Sequence, residues 1–182
     1  MALQFTTSYL EDSVALFRFY KKMAEGAIEQ VTDEQLFTAL DEEMNSIAIM
    51  VKHMTGNMRS RWTEFLTSDG EKPKRNRDAE FEEPPPSRQS LMKLWEEGWH
   101  LVFAALEPLT DLDLGRTVRI RNEEHSVMQA INRQIAHYSY HCGQIVFLAK
   151  HFKGRDWKSL SVPRKKSDDF NQKVLAREIS QR

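Results

Sequence analysis

SVMQAINRQIAHYSYHCGQIVFLAKHF, residues 126–152, contains no proline, and its apolar residues recur every three or four positions. That is the period of a helix with one buried face. Ser126 followed three residues later by Gln129 is a capping-box pattern, and Gly154 lies where a helix would close. The stretch is therefore predicted as one long helix, from Ser126 to Phe152. Glycine and proline number only seven and six, and they cluster, which leaves three more long stretches of the same character.

Upstream, Val118 and Ile120 alternate with charged residues in LGRTVRIRNEEHSV, and Arg121-Asn122-Glu123-Glu124 offers a turn, so a small β-hairpin is expected before the last helix. Before it, residues 87–106 carry Leu91, Leu94, Trp95, Trp99, Val102 and Phe103 at helical spacing, with Trp95 and Trp99 on one face and Pro108 as the stop. A second long helix is predicted from Asp41 to Leu66, with Asp41, Glu42 and Glu43 in its first turn, where they would complement the macrodipole. The first runs from Leu3 to Val31 and buries Phe5, Tyr9, Val14, Phe17, Tyr20, Ala24, Ala27 and Ile28. Thr32 and Gln35 form another capping box, for a short helical turn between the two.

Residues 67–87 change character, with charge of both signs, one glycine and three consecutive prolines. A connection of about twenty residues can cross a whole bundle, so an all-α four-helix bundle in up-down-down-up order is expected, with the long crossover between its second and third helices. The chain reads as one domain over residues 1–182, its core spanning about 5–154 and a basic tail following from 155 to 182.

The 26 basic and 27 acidic residues give a formal charge of −1, which excludes global steering of nucleic acid or an anionic membrane. No run approaches 18 apolar residues, and the N-terminus lacks a signal-peptide pattern, so a cytoplasmic protein is expected. Cys142 is the single cysteine, which excludes an internal disulfide and a Cys-based zinc knuckle. Metal chemistry would have to come from histidines and carboxylates.

Of six histidines, only His137 and His141 have ligand spacing. Four residues apart on a helix, their Cβ atoms lie about 5–6 Å from one another, close enough to share an ion. Alone, such spacing is more often accidental than functional. Their face continues through Ala130, Gln134, Gln144 and Leu148, and so points inward. His53 stands at a similar depth in the second helix, on a face with Ser46, Ile49, Asn57, Ser60 and Glu64. A buried histidine is usually satisfied by one hydrogen bond, yet three at one depth fit a catalytic metal with an open position. Ser46, Asn57, Gln134 and Gln144 are the candidates to support the ligands.

The helix pattern, the mid-helix His53 within NSIAIMVKHMTGNMRSRW, and INRQIAHYSYHCGQIVFLAKHF together resemble the DinB-like superfamily of metalloenzymes, in a branch without an assigned activity, over about residues 5–170. The resemblance implies a divalent metal on His53, His137 and His141. Relatives include bacillithiol S-transferases and the mycothiol-dependent maleylpyruvate isomerase, and such proteins commonly form homodimers. The implied chemistry is activation of a low-molecular-weight thiol for transfer to a small-molecule electrophile held near Trp95, Trp99 or the aromatic residues of the last helix. Three imidazoles accept zinc or nickel first, and manganese or iron as well. Metal-activated water would give a hydrolase from the same ligands, and a noncatalytic dimeric bundle with structural or sensing metal is the competing class.

Other residues have plainer readings. Cys142 points about 100° away from His141 and reads as core. Tyr138 and Tyr140 read as packing groups, His100, His125 and His151 as solvated or capping groups, and Arg59 and Arg61 as surface ion-pair partners, although the two arginines also suit an anionic thiol. The run Arg164-Lys165-Lys166 has no interleaved aromatic residue, so no nucleic-acid partner is expected.

Overall fold

In the computed structural model, residues 8–179 are described, and most of them are helical. Helix α1 (Tyr9–Ile28) starts on Ser8, whose hydroxyl accepts from the Glu11 N–H. Leu3 and Phe5, expected in this helix, lie outside the described residues. The short α2 (Asp33–Phe37) carries the expected reciprocal cap between Thr32 and Gln35.

Helix α3 (Ile47–Trp62) corrects the expected start at Asp41. The Asp41 carboxylate accepts from the N–H groups of Glu43 and Met44, at 2.9 and 3.0 Å, and so forms a local turn that competes with helix. Ser46 is the cap, its hydroxyl accepting from the Ile49 N–H at 3.2 Å. At the far end Glu64 takes φ 51°, so it and Leu66 lie beyond the helix.

Helix α4 (Arg88–Leu106) begins on Ser87. Strands β1 (Thr117–Ile120) and β2 (Glu123–Ser126) form the expected antiparallel hairpin. Its turn residues Arg121 and Asn122 have φ of 56° and 63°, as a tight primed turn requires. Helix α5 (Val127–Lys153) has its capping box at Ser126 and Gln129 and ends at Gly154, whose φ is +57°. The tail packs Trp157 and Leu160 on the core, and a Cβ at Gly26 would stand 2.9 Å from Leu160. The last helix, α6 (Ser167–Leu175), buries no residue.

Helix α1 packs on α5 and α3 on α4, with further contact between α3 and α5. One aromatic ring from each long helix meets the others at the centre. Phe17 lies 5.9 Å from Trp62, 6.2 Å from Trp99 and 5.8 Å from Tyr138, and Trp99 lies 5.6 Å from Tyr138. Such pairs contribute about 0.5–1.5 kcal/mol each beyond their burial. Tyr138 Oη accepts from Trp62 Nε1 at 2.9 Å and donates to Asn57 Oδ1 at 3.1 Å, which satisfies three polar groups inside the core.

The long connection is pinned down along its length. Asp69 accepts from the N–H groups of Arg121 and Asn122, and the Gly70 N–H donates to the Arg119 carbonyl at 2.7 Å, which ties the connection to the hairpin turn. Buried Arg61 donates to the Gly70 carbonyl and to Glu71, and is not the surface residue expected. Further along, Lys52 of α3 donates to the carbonyls of Ala79 and Glu83 and holds a single 3-10 turn, Asp78–Phe81, against α3. Among the described residues, no helix is long and apolar enough to cross a membrane.

Candidate metal centre

His53 lies midway along α3, and His137 and His141 lie one turn apart on α5. His53 and His141 are buried, at 4% and 8% exposure, while His137 is partly open. Their Nε2 atoms converge, with His137 Nε2 3.3 Å from that of His53 and 3.1 Å from that of His141. Two nitrogens each about 2.0–2.1 Å from one tetrahedral ion would stand about 3.3–3.4 Å apart, so the spacing fits a shared cation.

The outer nitrogens fix the protons. His53 Nδ1 faces Glu80 Oε2 at 2.8 Å. Burial pushes the Glu80 carboxyl up, but hydrogen bonds from His53 and Arg75 outweigh it and hold the group below the ordinary carboxylate range. An ionised carboxylate only accepts, so His53 carries its hydrogen on Nδ1 and presents a lone pair at Nε2. Gln144 donates its amide to Tyr140 Oη and turns its oxygen to His141 Nδ1 at 2.8 Å, which gives the same tautomer. Two lone pairs thus face His137 Nε2, which as a donor can satisfy only one. A divalent ion satisfies all three.

Burial keeps two of the three imidazoles neutral. Burial, then the neighbouring His141 and His53, lowers the pKa of His137 to about 3. Burial lowers that of His141 to about 4, against a partial rise from Gln144. These neutral imidazoles can hold a metal ion.

Of the other expected supports, Gln144 touches a ligand. Asn57 and Gln134 border the adjoining cavity, Asn57 turning its oxygen to Tyr138. Ser46 is not part of the site, because its hydroxyl caps α3. Trp95 and Trp99 do not border the cavity either. Trp95 donates to Glu25, and Trp99 is fully buried among rings. Cys142 points away, donates its thiol to the Tyr20 carbonyl, and is pushed up to about 12 by burial. Tyr138 is a core group and Tyr140 is exposed.

The group that sequence reasoning missed is Glu80, delivered by the long connection. Arg75 clasps it with two hydrogen bonds, Nε to Oε1 at 2.8 Å and Nη2 to Oε2 at 2.9 Å, and Phe81 stacks on His53 with centroids 4.4 Å apart. The available signal was Gly56, three residues after His53, where a Cβ would fall 2.5 Å from Glu80 Oε1.

A protein-family description, "Protein of unknown function (DUF1572)", matches residues 4–166. The chain belongs to this family. All three histidines, Glu80 and Gln144 of this DUF1572 protein lie inside the matched span. No match to it was found among curated proteins or among solved structures.

Proposed function

We propose that the protein is a divalent-metal-dependent enzyme, with the ion on His53, His137 and His141, that activates a low-molecular-weight thiol for S-transfer to an electrophile. One observation carries the metal reading: the Nε2 lone pairs of His53 and His141, set by Glu80 and Gln144, converge on His137 beside a cavity. Three imidazoles with space beside them are the donor set of a catalytic ion rather than a closed structural one. When bound, the ion supplies Lewis acidity, lowering the pKa of a thiol from about 8.5 so that the thiolate forms at neutral pH. The chain's own residues hold protons and positions. Glu80 and Gln144 keep hydrogen on Nδ1 of their histidines, and burial resists protonation at Nε2.

The thiol chemistry and a homodimer rest on the DinB-like resemblance, whereas an up-down-down-up four-helix bundle is proposed from the length of the connection between its second and third helices, one domain from the chain's length, and a cytoplasmic location from the absence of a signal-peptide pattern. Zinc and nickel are proposed ahead of manganese and iron, which stand lower in affinity order. One observation favours a second reading, in which water replaces the thiol and the enzyme is a hydrolase. The cavity beside the histidines has no apolar lining residue on which an apolar electrophile would rest.

Elemental analysis of untagged protein, wild type beside His53→Ala and His137→Ala, tests the metal centre. Near-stoichiometric metal in the wild type alone is expected. A thiol-adduct assay on loaded and chelator-stripped protein then tests the chemistry. Equal rates with and without metal would sink both the transferase and the hydrolase readings.

A further inference from the structure

The cavity beside His53 and His137 has a volume of about 240 Å³, and its nine lining residues are all Arg, His, Asn or Gln. Five are arginines: Arg61, Arg75, Arg77, Arg121 and Arg133. Two carboxylates answer them. Glu71 pairs with Arg61, Arg75 and Arg121, and Glu80 pairs with Arg75. Five guanidiniums against two carboxylates leave three positive charges in excess around one small cavity, before any metal ion is added. A divalent ion on the three histidines would deepen that excess.

The excess is localised. Arg77 and Arg133 are exposed, and their guanidiniums make no ion pair or hydrogen bond among the described residues, although that of Arg77 rests over the Phe81 ring at 5.0 Å. They come from unrelated places, the long connection and α5, yet border the same space. Two lining residues also carry buried atoms without partners, Nε of Arg61 and Oε1 of Gln134. Like charges converge in this way at a cost, unless an anion joins them, and guanidiniums match the planar and tetrahedral oxyanions bidentately.

We propose that this cavity binds a small, multiply charged oxyanion, a phosphate ester or a polycarboxylate, with Arg77 and Arg133 at its mouth as the binding residues. At about 30 Å³ per water the cavity has room for roughly eight water-sized positions, which suits a phosphate or carboxylate group with a short chain. The inference adds a substrate class to the metal-enzyme reading and rests on that reading only for what happens to the ligand after it binds.

Calorimetric titration of glycerol phosphate, and separately of succinate, into full-length protein tests it. The titrations use both chelator-stripped and zinc-loaded protein, at low and high chloride. One probe at least should bind the stripped wild type, more weakly at high chloride, and the probe that binds more tightly assigns the phosphate or carboxylate source. The double variant Arg77→Ala/Arg133→Ala should weaken binding by about tenfold or more, the scale of losing one or more charge-assisted contacts. Arg59→Ala, which removes an exposed arginine paired with Glu97 away from the cavity, should change nothing. Because the two guanidiniums make no ion pair among the described residues, and the exposed contact of Arg77 with Phe81 contributes only about 0.5–1 kcal/mol, the double variant should retain the wild-type circular dichroism and lose at most a few degrees of melting temperature. No titration with either probe would overturn the proposal. Binding that appears only with zinc and ignores the double variant would also overturn it, since the anion would then be only a metal ligand. Retained anion affinity in a protein that takes up no zinc would remove the metal reading and leave this one standing.

Discussion

Replacing Gly56 by alanine should weaken metal binding while leaving the helix intact, although helix propensity alone points to a gain. In mid-helix, Gly→Ala stabilises by about 1 kcal/mol. Here the new Cβ would stand 2.5 Å from Glu80 Oε1 and 2.7 Å from its Cδ. Ordinary contact begins near 3.4 Å, so the carboxylate must retreat by roughly 1 Å. That retreat would lengthen the His53–Glu80 hydrogen bond from 2.8 Å to beyond hydrogen-bonding range, and would strain the paired contacts from Arg75 at 2.8 and 2.9 Å. A charge-assisted hydrogen bond contributes about 1.5–3 kcal/mol, so the propensity gain is cancelled or reversed in the metal-free protein. For the ion the effect is larger in proportion, because His53 is no longer held in the tautomer that presents Nε2. Removing such a support typically costs about 10–100-fold in metal affinity. Competition against a chromogenic chelator would measure the affinity, with Glu80→Gln as the comparison that alters the acceptor without crowding α3. An alanine variant that is about 1 kcal/mol more stable and binds zinc as tightly as the wild type would refute the reasoning.

Two further outcomes follow from the core and from the buried imidazoles. Tyr138→Phe removes the hydroxyl that accepts from Trp62 and donates to Asn57, stranding two buried groups, and should cost about 1–3 kcal/mol in chemical denaturation. Metal-free protein should lose stability as pH falls below about 6.5, because His137 and His141 are neutral in the folded state down to about 3 and about 4, whereas the unfolded chain takes up those protons first. The slope should reach about 1.4 kcal/mol per pH unit for each histidine, and a stability that stays flat between pH 6 and 4.5 would contradict it.

Much of the architecture was legible because it rests on local chemistry. Ser87 and Ser126 cap their helices where the sequence placed them, and Arg121-Asn122 turns the hairpin. The start of α3 was misread, since three consecutive acids suit a helix N-terminus but Asp41 satisfies the backbone N–H groups just after it instead. The three histidines were legible too, because spacing of four on α5 and equal depth on α3 are periodic facts. What surrounds them was not. Glu80 is held by His53 and Arg75, pairings 27 and 5 residues apart across and within a segment that has no period to read.

The same long connection explains why composition gave no hint of an anion site. A formal charge of −1 over 182 residues averages away an excess of three positive charges beside the histidines. The averaging fails locally because Glu71 is shared by three arginines, while Arg77 and Arg133 receive no carboxylate among the described residues. One carboxylate serving three guanidiniums holds Arg61, Arg75 and Arg121 in a fixed arrangement without neutralising them. Burial pushes the Glu71 carboxyl up, but the hydrogen bond from Arg61 and the field of Arg75 hold it below the ordinary range, so the arrangement persists at neutral pH. A segment that looks like a charged linker thus does two kinds of work at one place. It orients His53 through Glu80, and it preorganises a positive cavity through Glu71, so that an anion entering there meets donors already in position.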